Sequence, residues 1–101
     1  MQEQSVFEVV VFKVRNPEAG LAAAKAVIGD AKAYNDGVIG AETYQSLDDP
    51  HLLTQRIEWR SLAHAKDAQA AFPTFPNAPK MMPLITETVM MDHFVTSPAA
   101  V

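Results

Sequence analysis

The stretch VFEVVVFKV, residues 6–14, constrains the fold more than any other. It is rich in β-branched and aromatic residues, which fit a strand. Alternate side chains of a strand point to opposite faces. One face carries Val6, Glu8, Val10, Phe12 and Val14, and the other Phe7, Val9, Val11 and Lys13. Both are mainly apolar, so this strand needs cover on both sides. What can supply that cover depends on the rest of the chain.

A helix is expected over residues 15–35. Asn16 is a good N-cap, Pro17 suits the first helical position, and Glu18 complements the positive helix end. Leu21, Ala24, Val27, Ile28 and Ala31 form one apolar stripe at three-to-four spacing. VIGAETYQSL (38–47) reads as a second strand, and DDP (48–50) has turn chemistry. LLTQRIEWR (52–60) alternates, with Leu53, Gln55, Ile57 and Trp59 on one face. Ser61 caps a second helix whose inner stripe is expected to be Leu62, Ala65, Ala68 and Phe72. Four prolines break up residues 72–83, leaving room for one short helical turn at APKMM. TETVMMDHFV (86–95) reads as the last strand, and the tail TSPAAV is expected to fray.

The order β-α-β-β-α-β defines an α+β fold of the ferredoxin-like type, with a four-stranded antiparallel sheet and both helices on one face. One domain is expected over residues 1–101, with its core at about 6–95. Two helices cover one face of the first strand, and the chain has no third long helix for the other. A second copy of the same sheet is the simplest cover, so a two-fold homodimer joined through the sheet face is expected.

Composition excludes several function classes. The net charge of −4 lacks the basic footprint of a nucleic-acid binder. There is no cysteine, hence no disulfide, thiolate metal site or cysteine nucleophile. No apolar run approaches the roughly 20 residues that span a bilayer. The first ten residues lack a basic region and a cleavage site, so a cytoplasmic protein is expected, with neither nucleic acid nor membrane as partner.

FEVVVFKVRNPEAG, a hairpin ending IEWRSLAHAKDA, and the closing MMDHF together resemble the dimeric α/β-barrel superfamily. The nearest likeness is to small antibiotic-biosynthesis-monooxygenase-like proteins, over about residues 6–95. The resemblance implies a barrel-like dimer with a pocket in each subunit between sheet and helices. It implies a monooxygenase-like protein acting on a small apolar or aromatic substrate, with no cofactor. The alternative is a non-catalytic dimer that binds small molecules or responds to stress.

Within that resemblance, Trp59 and Gln55 would supply an aromatic wall and an amide. Tyr44 and Tyr34 would supply phenols, and His93 would be the catalytic base, its unperturbed pKa being about 6.5. Relatives that degrade haem use an asparagine on the first strand, a tryptophan on the third and a histidine well along the second helix. Here only Trp59 matches, and Gln69 stands near the histidine's place.

The remaining polar residues read more plainly. His51 follows a turn proline and is expected in solvent. His64 flanks a helix N-terminus, and the methionines are adaptable core filler. An unpaired buried carboxylate is expensive, so Glu8 is expected to meet Arg56 or Arg60 across the sheet. No histidine spacing suits a metal, and Asp92 and His93, adjacent in a strand, point to opposite faces. Parity puts Val89, Met91, His93 and Val95 together. It leaves open whether that face looks toward the helices and a pocket or into the dimer's sheet-to-sheet interior.

Overall fold

The computed structural model describes residues 4–96. All but Thr96 of the tail TSPAAV lies outside the described residues. Strand β1 (Val6–Val14) leads into helix α1 (Pro17–Tyr34), followed by β2 (Val38–Gln45), β3 (Leu52–Trp59) and helix α2 (Leu62–Ala71). Two 3₁₀ turns, at residues 72–74 and 82–84, flank the short helix α3 (Ala78–Met81) before β4 (Ile85–Phe94). The sheet order is β2-β3-β1-β4, antiparallel throughout. This is the ferredoxin-like α+β arrangement.

Local chemistry sets the helix starts. The Asn16 side chain accepts from the Ala19 amide at 3.0 Å, and Pro17 opens α1. Ser61 Oγ accepts from the His64 amide at 3.2 Å at the start of α2. Both serve backbone donors that lack a partner in the first turn. Helix α1 then comes very close to β1. A Cβ on Gly20 would stand 2.7 Å from a Val14 methyl, so only glycine permits this approach.

The core lies between helices and sheet. Phe12, Val14, Leu53 and Trp59 are its largest fully buried side chains. Ala23, Ala24, Val27, Ile28 and Ala31 of α1 pack onto it, with Ala65 and Ala68 of α2. Leu62 does not join them, because it sits in the first turn of α2 and is 46% exposed. The proline-rich segment is an ordered cover rather than a loose loop. Phe75, Ala78 and Met81 are buried. The Asp30 carboxylate of α1 holds the segment by accepting from the Asn77 backbone amide at 2.8 Å and its side-chain amide at 2.9 Å.

β4 departs from strict alternation. Val11 pairs with Met90 but Phe12 pairs with Thr88, so Val89 is the extra residue of a bulge. Thr88, Met91 and His93 therefore share the helix side, while Met90, Asp92 and Phe94 face away. Val89 drops out of the set that simple parity gives. On the open face stand Phe7, Val9 and Val11 of β1, Met90 and Phe94 of β4, and Tyr44 of β2.

Candidate functional site

A cavity of about 220 Å³ lies under α2 and the 72–84 segment. Its floor is the helix side of the sheet: Glu8, Val10 and Phe12 of β1, with Gln55, Ile57 and Trp59 of β3. Phe72, Phe75 and Met81 form the opposite wall. Gln69 of α2 and Thr88 and Met91 of β4 also line the cavity and are exposed, so its mouth lies between α2 and β4. The lining is mostly apolar with a few polar groups, as in small-molecule sites. An apolar cavity of about 150 Å³ admits benzene, so this one suits a ligand of one or two rings.

The floor carries one carboxylate. Register puts Glu8 between Ile57 of β3 and His93 of β4. Glu8 Oε1 accepts from Trp59 Nε1 at 3.2 Å. His93 Nε2 stands 3.7 Å from the same oxygen, an ion-pair separation too long for a hydrogen bond. The two side chains are only 12% and 13% exposed. Burial pushes the Glu8 carboxyl above the ordinary glutamate value. The His93 charge and the Trp59 hydrogen bond oppose that rise without cancelling it.

Glu8 is thus on the helix side, and its partners are Trp59 and His93 rather than Arg56 or Arg60. Arg56 occupies the other face, with its guanidinium 5.5 Å from the Phe7 ring centroid. Arg60 Nε donates to the Asp36 carbonyl at 2.7 Å. An even-numbered residue of β1 does not meet Arg56, which pairs with Val9 on the opposite face, and Arg60 lies past the end of β3.

The residues singled out from the sequence separate into three groups. Trp59 and Gln55 line the cavity, and Gln55 is fixed there by donating to the Ala24 carbonyl of α1 at 2.9 Å. His93 stands behind Glu8, on the helix side, with its Nε2 fully buried and without a hydrogen-bond partner among the described residues. The tyrosines lie elsewhere. Tyr44 pairs with Thr54 on the open face, 48% exposed, because strand parity puts it opposite Thr43 and Gln55. Tyr34, in the last turn of α1, is 43% exposed and donates to Asp67 at 3.1 Å. Neither phenol lines the cavity. Glu8, Gln69, Phe72 and Phe75 do: the sequence marked Glu8 as a lone carboxylate in a β-branched run, Phe72 as part of the inner stripe of α2 and Gln69 by its place on that helix, and gave no sign of Phe75.

The other histidines have structural partners. His51 is exposed, as expected, and its Nδ1 lies 2.8 Å from the Val14 carbonyl at the end of β1. His64 Nδ1 lies 2.7 Å from Ser61 Oγ and Nε2 3.2 Å from Asp36. This Ser-His-Asp row is a clasp, not a hydrolytic site: Ser61 is buried and its oxygen caps α2. Gly37 packs beneath it, where a Cβ would stand 2.5 Å from His64 Cβ. Among the described residues no group of three or more metal-ligating side chains converges. The cavity does not fit a haem either, since its lining contains no histidine and Gln69 occupies the helix face where an iron ligand would be needed. No helix among the described residues is long and apolar enough to cross a membrane.

No family model matches the sequence, and no curated protein matches it. Solved structures do match. SnoaB, a cofactor-independent oxygenase from Streptomyces nogalater, superposes with a TM-score of 0.72 at 16% identity, covering 94% of this chain and 93% of that one. A conserved protein from Methanosarcina mazei Go1 matches with a TM-score of 0.72 at 20% identity, covering 93% and 94%. A candidate antibiotic biosynthesis monooxygenase from Bordetella bronchiseptica matches with a TM-score of 0.71 at 14% identity, covering 95% and 100%. These likenesses extend over nearly the whole of every chain compared, and the chain carries the fold of the antibiotic-biosynthesis-monooxygenase-like proteins.

Proposed function

We propose that the protein is a monooxygenase-like protein that binds a small aromatic ligand in the cavity and oxidises it with dioxygen, without a cofactor. The observation that carries this reading is the cavity itself. A mostly apolar aromatic and aliphatic pocket has a few polar groups on its floor, in a fold shared with a cofactor-independent oxygenase. In such chemistry the substrate supplies the electrons. The ligand loses a proton from a hydroxyl or an activated methylene group, and the anion gives two electrons to dioxygen, forming a hydroperoxide on a carbon that still bears a hydrogen. As the O–O bond breaks, that C–H bond supplies the other two electrons and one oxygen atom stays as a carbonyl. The other oxygen leaves as water. The protein's part is to orient the ring, exclude water and take up the proton. Trp59 gives the ring a flat wall, and the anchored Gln55 and Glu8 give the polar contacts.

The test is a thermal-shift screen of hydroxylated one- and two-ring aromatics, with each hit assayed for oxygen consumption. Binding with stoichiometric oxygen uptake supports the reading. Binding without uptake makes the protein a ligand carrier instead.

The open sheet face belongs to the same proposal. Phe7, Val9, Val11, Met90, Phe94 and Tyr44 form a broad apolar surface on the side that no helix covers. A second copy, sheet against sheet, is its occupant. Light scattering at micromolar concentration should give twice the monomer mass, and Val11→Glu should give a folded monomer. A monomeric wild type ends the dimer proposal.

A further inference from the structure

The group that a ligand meets in this cavity is not His93. Glu8 lines the cavity, and His93 is not among the lining residues but touches the carboxylate from behind. The pair is closed on the other side by Trp59 Nε1. Among the described residues His93 Nε2 is buried without a hydrogen-bond partner, which costs free energy unless the site uses it. It is aimed at the carboxylate but stops 3.7 Å short.

We propose that Glu8 accepts the hydrogen bond, and in turnover the proton, of a hydroxylated aromatic ligand, while His93 is a positioning residue that holds the carboxylate ionised and oriented. This rests on the aromatic-ligand reading above. The step balances simply. The ligand O–H bond breaks, its electron pair stays on oxygen, and the proton passes to a Glu8 oxygen. An aryloxide and a neutral carboxyl result, and the aryloxide is the electron-rich form that dioxygen attacks.

The surroundings favour this role. Burial makes the carboxylate a stronger base than one in water, which suits proton uptake. The charged groups that act on it are His93 of β4 and, more weakly, Lys66 of α2, with Trp59 of β3 as its hydrogen-bond donor. Ordinary exposed glutamates lack both the basicity and the fixed donors.

The experiment compares 1-naphthol with naphthalene by titration calorimetry from pH 4 to 8, in the wild type, Glu8→Gln and His93→Asn. The wild type should bind 1-naphthol about tenfold or more tightly than naphthalene, the hydroxyl meeting a charged acceptor. That preference should grow as pH rises through the titration of Glu8. In Glu8→Gln it should shrink several-fold and lose its pH dependence. In His93→Asn its midpoint should move to higher pH, in step with the Glu8 side-chain carboxyl signal in carbon NMR. Equal preference in the wild type and Glu8→Gln overturns the assignment of Glu8 while leaving the cavity reading intact. An unmoved midpoint in His93→Asn overturns the role of His93. Failure of the folded wild type to bind either probe overturns the aromatic-ligand reading, and this assignment with it.

Discussion

Replacing Trp59 with phenylalanine separates the packing role of the indole from its role toward Glu8. The substitution has two costs. The first is apolar: Trp59 is 2% exposed, and losing part of the ring leaves a void that widens the cavity. Full truncation of a core aromatic costs about 3–5 kcal/mol, so a tryptophan-to-phenylalanine change should cost about 1–2 kcal/mol. That part does not depend on pH. The second cost is the hydrogen bond from Nε1 to Glu8 at 3.2 Å. A hydrogen bond to a buried charged group contributes about 1.5–3 kcal/mol, and one to the neutral carboxyl about 0.5–1.5 kcal/mol.

The pH dependence follows from the direction of the Glu8 shift. Its pKa in the folded protein lies above 4.5, so the folded state binds the proton more tightly than the unfolded one. Where the unfolded state has released that proton and the folded state still holds it, stability falls as pH rises. Loss of the Trp59 donor, one of the groups that lower it, raises the folded value further. Well below pH 4.5 both states hold the proton, and the packing cost and the loss of the weaker bond to the neutral carboxyl remain. By pH 8 the full cost of the charged hydrogen bond applies. Urea unfolding should therefore show Trp59→Phe destabilised by about 2–3 kcal/mol at pH 4 and about 3–5 kcal/mol at pH 8. Circular dichroism is the readout, because the variant lacks the chain's one tryptophan. Protein concentration must be held fixed, since association would add to the stability. Equal destabilisation at the two pH values would mean that the indole N–H does not serve the carboxylate, and the account of the floor would fail.

Three further outcomes follow from contacts outside that pair. Glu8→Gln keeps an acceptor for Trp59 and removes a desolvated charge, so its melting temperature should exceed the wild type's at pH 8. The gap should close below pH 4.5, and a lower melting temperature at pH 8 would show that the His93 attraction outweighs desolvation. Gly37→Ala puts a methyl group 2.5 Å from His64 Cβ, and overpacking of this kind costs about 1–3 kcal/mol in a thermal melt. Asp30→Ala removes both acceptors that hold Asn77, so about 1–3 kcal/mol should be lost. Hydrogen exchange should then rise across residues 72–84 before it rises in the sheet.

What the sequence disclosed and what it withheld divide along physical lines. The strands, the helix caps at Asn16 and Ser61 and the β-α-β-β-α-β order follow from period, capping chemistry and proline placement, all of which act over a few residues. The side on which each strand residue lies is nearly as accessible, since period two put Gln55 with Trp59 and separated His93 from Asp92. Two things needed the third dimension. Parity alone cannot say which strand faces meet, and so Tyr44, one residue from Thr43, lands on the open side of the sheet. Nor can local pattern show that a segment with four prolines folds back over the sheet, because Asp30 holds it from 47 residues away and Phe75 fills the space beneath. The lone carboxylate of β1 was visible from the start as an oddity, and its charge suggested an arginine. The register supplies a different answer. On the helix side β3 offers an indole and β4 an imidazole, and both arginines lie off that side. A carboxylate in an arginine's grip would be held well ionised and structurally occupied. One held by an indole N–H and a distant imidazole keeps a free face toward the cavity and a raised affinity for protons. That difference in partner turns Glu8 from a structural ion pair into the most chemically capable group on the cavity floor.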